Sequence, residues 1–88
     1  KSTYSWRLYE LLMQWKDTNL LKIKLEEFRH ALDVPESYRY TDIRAHCIEK
    51  SVIELREKAH IDVMWEAIKD KENRRKVSTL VFRWKSVD

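Results

Sequence analysis

Eighty-eight residues with four Trp, four Tyr and two Phe but no glycine allow one domain with a single core of large side chains. No apolar run approaches the roughly 18 residues of a membrane span, there is no signal-peptide pattern, and one cysteine excludes an internal disulfide, which suits a reducing compartment. The formal net charge of +3 lies wholly beyond residue 36: residues 37–60 carry five basic against four acidic side chains and residues 61–88 seven against five, a mild excess that matters only where the basic groups converge on one face. The chain begins at Lys1 without a methionine and is read as a fragment of something longer.

From Thr3 to Trp15, Tyr4, Leu8, Leu11, Leu12 and Trp15 recur at the spacing of one stripe of an amphipathic helix. Ser2 or Thr3 is its expected cap, and Asp17, Thr18 and Asn19 end it. Leu20 to Ile23 is too short for a helix and is expected as a small strand. "LEEFRHAL" predicts a second helix with Leu25, Phe28 and Leu32 inward. Glu26 and Glu27 fall in its first turn, where the helix dipole favours acids. Asp33 and Pro35 close it.

Thr41 is the expected N-cap of a third helix that runs to about Lys58. Ile43, Cys47, Ile48, Ser51, Val52 and Leu55 cover its apolar face, and Ala45, His46, Glu49, Lys50, Ile53 and Arg56 lie on the other side. Arg44 is near the apolar face by angle, but in the first turn its long side chain can swing out. The start of this helix gathers Tyr38, Arg39, Tyr40, Arg44 and His46. A helix made only to fill a core does not need them.

Two segments of period two follow, with Ile61, Val63, Trp65 and Ala67 on one side of the first and Leu80, Phe82 and Trp84 on one side of the second. Both predict strands. The charged stretch "KDKENRR" between them predicts a hairpin loop, in which Asn73 is the expected left-handed residue because Asn tolerates that conformation best after glycine. Trp15, Trp65 and Trp84 are expected in the core, and Trp6 partly exposed. The order of helix, strand, helix, helix, strand, strand is that of a winged helix: an α+β fold with three main helices, a small antiparallel sheet, a helix-turn-helix and a β-hairpin wing.

Enzyme chemistry is not expected. Without glycine there is no phosphate-binding loop, dinucleotide fingerprint or nucleophile elbow. His46 and Cys47 point about 100° apart on a helix, poor geometry for a nucleophile and its base, and Cys47 is expected as a small core residue. His30, His46 and His60 show no metal-ligand spacing. No catalytic residue, metal or cofactor is predicted. Lys69, Lys71, Arg74, Arg75 and Lys76 outnumber Asp70 and Glu72 in the hairpin, where a wing reaches a phosphate backbone. The third helix is then the reading element, its first turns meeting base edges in the major groove.

The stretches "YSWRLYELLMQW", "IKLEEFRHALDVPESYRYTDIRAHCIEKSVIELREKAHIDVMWEAI" and "RRKVSTLVFRW" together resemble the second, C-terminal winged-helix domain of iteron-binding plasmid replication initiator (Rep) proteins, over nearly the whole chain. The resemblance implies a single winged-helix domain over residues 1–88, taken from a two-domain initiator, that binds double-stranded DNA at repeated origin sequences. It also implies a bacterial, cytoplasmic protein whose full-length form meets host replication proteins. This piece is expected to be monomeric and away from membranes. The family's helix that starts at "YTDIR" enters the major groove, so the expected DNA-binding residues are Arg39, Tyr40, Thr41, Arg44, Ala45, His46, Glu49 and Lys50, with Lys69, Lys71, Arg74, Arg75 and Lys76 of the wing. Ala45 and His46 stand where the family often has further basic residues, Lys24 where an N-cap Ser or Asp is usual, and Asp33 where Gly is common. The alternatives are a transcriptional regulator or a winged helix used for protein contact, with Trp6 and Ile53 as its apolar patch.

Overall fold

The computed structural model describes residues 3–87. Helix α1 (Thr3–Met13) leads into strand β1 (Leu20–Lys24), which passes directly into helix α2 (Leu25–Leu32). Helix α3, residues 40–58, is continuous but changes winding. Tyr40–Asp42 is α-wound, Ile43–Glu49 π-wound and Lys50–Lys58 α-wound again. Strands β2 (Ile61–Lys69) and β3 (Val77–Ser86) complete an antiparallel sheet of order β1-β3-β2. Three helices with a helix-turn-helix and a hairpin wing make this a winged-helix fold.

The amphipathic pattern places most of the core. Leu8 and Leu12 of α1, Leu25, Phe28 and Leu32 of α2, Ile43, Cys47 and Leu55 of α3, and Leu80, Phe82 and Trp84 of β3 are buried together. Leu11, Val52 and Trp65, expected in the same core, pack against it while partly exposed. Phe28 and Phe82 stack at its centre, 5.7 Å between ring centroids, an arrangement that adds to the area they bury. The central strand gains from both neighbours: Phe82 lies between Leu21 and Trp65 in register. A bulge at Ile68/Lys69 marks the root of the wing.

Trp15 is corrected. Helix α1 ends at Met13, and Trp15 lies in a turn, 47% exposed. Its carbonyl accepts the amides of Thr18 (3.1 Å) and Asn19 (2.9 Å), and Asn19 takes a left-handed φ of 51°. A position on a helical stripe is buried only while the helix lasts, and this one stops two residues short. Thr3 is the first helical residue and so not the cap, while Ser2 lies outside the described residues.

Asn73 is corrected as well. Among the described residues the left-handed ones are Asn19, Asp33 and His60, and the wing closes without one. The Asn73 side chain accepts the Arg75 amide at 3.2 Å and the Asp70 side chain the Glu72 amide at 2.9 Å. These two side-chain turns, with the Lys76 amide donating to the Asn73 carbonyl at 2.9 Å and the Asp70 amide to the Lys76 carbonyl at 2.8 Å, reverse the chain. Asp33 ends α2 with φ 54°, while the Val34 amide reaches back to the Arg29 carbonyl at 3.0 Å, a helix stop that glycine usually supplies. His60, with φ 58°, turns the chain from α3 into β2.

Candidate nucleic-acid interface

The start of α3 is held by three separate devices. Arg39 is extended and precedes the first helical residue, Tyr40. Its amide donates to the Asp42 carboxylate at 3.0 Å, the return half of a capping box. Thr41 is therefore in the first turn and exposed, not the N-cap, because the helix begins two residues earlier than a Thr41 cap requires and Asp42 takes over the terminal hydrogen bonding. Behind it, the Arg29 guanidinium donates to the Tyr38 carbonyl at 2.8 Å, which fastens the connection to α2. The Tyr38 ring lies 6.0 Å from that of His46 and 6.4 Å from that of Tyr4.

The winding decides which side chains face out. In an α-helix, residues five apart point about 140° from each other; a π-helix bonds residue i to i+5 and brings them together. Ile43 and Ile48 are five apart, and both are fully buried with Cys47. Fully burying an Ile stabilises by roughly 1.5–3 kcal/mol, which favours the wider turn. The same winding brings Arg44 to Glu49, 3.7 Å apart with both side chains about half exposed. Tyr40 joins that pair: burial pushes its phenol up, Arg44 pulls it down and Glu49 raises it. The phenol remains a neutral hydrogen-bond donor beside a cation and an anion.

Of the residues expected to meet DNA, Arg39, Thr41, Arg44, Ala45, His46, Glu49 and Lys50 are exposed and Tyr40 is half-buried. Cys47, between them in sequence, is fully buried, and burial raises its thiol to about 11. In the wing, Lys69, Lys71, Arg74, Arg75 and Lys76 are all exposed. Among the described residues no salt bridge engages any of these five. Helix start and wing share no hydrogen bond, ion pair or ring contact among the described residues, so they form two basic elements rather than one cluster.

Three residues with no sequence signal also shape this region. Arg29 pins Tyr38. Arg7 of α1 donates to the Leu32 carbonyl at 2.9 Å and stands 4.0 Å from the Asp33 carboxylate. Ser5 of α1 is buried and hydrogen-bonded to Glu54 of α3. That bond, chiefly, holds the Glu54 carboxyl below its ordinary range. Each depends on which helix packs beside which, and no local pattern announces it.

A family model described as "Initiator Rep protein, WH2" matches residues 24–84. No curated protein matches the chain. The matched span runs from the end of β1 through most of β3 and takes in the whole of α3 and the wing, but not α1.

Proposed function

The chain belongs to the initiator Rep protein family through its WH2 domain, and from that premise we propose that it binds double-stranded DNA at the repeated sequences (iterons) of a plasmid origin, as a step in starting replication. One observation carries the reading. The first turns of α3 turn Arg39, Thr41, Arg44, Ala45, His46 and Lys50 to solvent while Ile43, Cys47 and Ile48 anchor the same turns in the core. Such a helix end is rigid, cationic and able to hydrogen-bond, as reading base edges in a major groove requires.

The wing supplies affinity. Five exposed basic side chains, free of salt bridges among the described residues, release counterions when they meet phosphates, and this contribution is independent of sequence. The domain works by binding alone, with no catalytic group or cofactor, as a monomer in the bacterial cytoplasm. Host replication proteins are partners of the longer protein. Selection from a pool of random duplexes tests the reading: recovery of one short repeated sequence, bound less tightly as salt rises, is the expected result.

A protein-contact reading has its own observation. Trp6 and Ile53 are 61% and 60% exposed, and Trp6 stacks on Tyr9 at 5.6 Å. Failure to select any duplex, with binding insensitive to salt, favours that reading. Selection of an operator-like site that does not support replication favours a transcriptional regulator.

A further inference from the structure

Between the first turns of α1 and the exposed side of α3 lies a cleft of about 560 Å³. His46 and Lys50 form its α3 wall, and Thr3, Tyr4 and Arg7 its α1 wall; Tyr38 also lines it. Hydroxyls, a guanidinium and an ammonium dominate this lining, and all of them can donate hydrogen bonds. The one carboxylate on it, Glu54, accepts from the Ser5 hydroxyl. Arg7 is held in place through the Leu32 carbonyl. Its charge is therefore positioned before any ligand arrives, with Asp33 4.0 Å away on one side. Lys50 makes no salt bridge among the described residues. Burial pushes the Tyr4 phenol up, so it remains a donor.

We propose that this cleft receives a phosphate of the DNA backbone and makes α1 a third element of the interface, beside the reading helix and the wing. The inference rests on the DNA-binding reading above and adds a site to it. The ligand is a phosphate because the Arg7 and Lys50 cations converge there with the Tyr4 and Tyr38 hydroxyls, against the ionised Glu54 on the lining and Asp33 beside Arg7. Its source is the duplex because His46 and Lys50 are on the same helix as Arg44, within two turns of it. A helix seated in a major groove about 12 Å wide has a phosphate strand along each side. A duplex docked on the start of α3 then brings one strand past the mouth of the cleft. Thr3, Tyr4 and Arg7 lie outside the family-matched residues 24–84.

The test is the slope of log affinity against log salt for the 88-residue chain on a mixed-sequence duplex. Arg7→Gln and Lys50→Gln are each expected to flatten the slope by about 0.9, the value of one phosphate contact. Lys50→Arg is expected to restore it. Lys50 is exposed, so its variants remain informative if Arg7→Gln, which loses the Leu32 bond, fails to fold. An unchanged slope in both variants, with a flattened slope in the Arg74/Arg75 double variant, overturns the cleft and leaves the DNA-binding reading standing. Absence of duplex binding by the wild type overturns both. Inorganic phosphate is tested at matched ionic strength. If it raises the thermal midpoint of the wild type but not of Lys50→Gln, while duplex slopes do not change, the source is free phosphate and the proposal is overturned.

Discussion

Arg44 and Glu49, five residues apart, meet at 3.7 Å because the helix between them is π-wound. In an α-helix they would diverge by about 140°. The side chain proposed to read a guanine edge is thus held by a carboxylate on its own helix. Half-exposed pairs of this kind contribute up to about 1 kcal/mol. Glu49→Gln is expected to cost less than about 1 kcal/mol of stability. By freeing the guanidinium and removing a charge that repels phosphate, it should tighten binding to unrelated duplex by up to about fivefold. Binding to the selected sequence should gain less, so the specificity ratio falls. Equal gains on both duplexes would show that Glu49 acts only through long-range charge.

The wing makes a different prediction. Arg74 and Arg75 are exposed, without salt bridges among the described residues, and follow the Asn73 turn. Replacing both with Ala should weaken binding to every duplex similarly and flatten the salt slope by about two, at about 0.9 per phosphate. An unchanged slope would make the hairpin a solvated turn.

Stability separates buried positions from one that only shares their spacing. Leu12→Ala and Leu55→Ala remove side chains that are 0% and 4% exposed and should each cost about 2–5 kcal/mol in urea unfolding. Trp15→Ala, at a half-exposed position beyond the end of α1, should cost less than either despite the larger ring.

Much of this was legible in the sequence because burial follows period. Leu8, Leu12, Phe28 and Phe82 sit where spacing put them. So does Cys47, and the hairpin lies between the two strands predicted from alternation. What periodicity cannot register is a change of period. The π turn that pairs Arg44 with Glu49 is set by packing on the core; an assumed α-winding sets those two side chains apart, although it still places the buried Ile48 on the apolar face. Helix and turn ends escape for a related reason. Residue type points to Thr41 and Asn73 and stripe spacing to Trp15, whereas the Asp42 carboxylate, the Asp70 and Asn73 turns and the stop of α1 at Met13 decide them. The cleft beside His46 needs Arg7 and Lys50, forty-three residues apart in the numbering, to meet through helix packing.

The lone thiol predicts an alkaline transition. Burial raises Cys47 from its ordinary value near 9 to about 11, so the folded state holds the neutral form more firmly than the unfolded chain does. Its contribution to stability is complete below pH 9 and is lost as pH rises through about 11. Other groups also titrate in that window. The difference in urea midpoint between wild type and Cys47→Ala isolates the thiol: it should be constant below pH 9 and shrink above it. A thiol reagent at neutral pH should modify Cys47 only on unfolding.

The proposed base reading rests on Arg44. It is anchored between the buried Ile43 and Cys47, and its half-exposed side chain is restrained by the Glu49 carboxylate 3.7 Å away. A guanidinium presented this way can donate to both acceptors of a guanine edge. Arg44→Ala should cost about 1–3 kcal/mol on the selected sequence and less on a scrambled one, so that specificity falls with affinity. The measurement is a competition titration of wild type and variant against both duplexes at one fixed salt, since affinities shift steeply with ionic strength. Equal loss on both duplexes would make Arg44 a phosphate clamp and move base reading to Thr41 or His46 on the same exposed turns. No loss on either would mean that α3 does not enter the groove, and the exposed Trp6 and Ile53 would then mark the working surface.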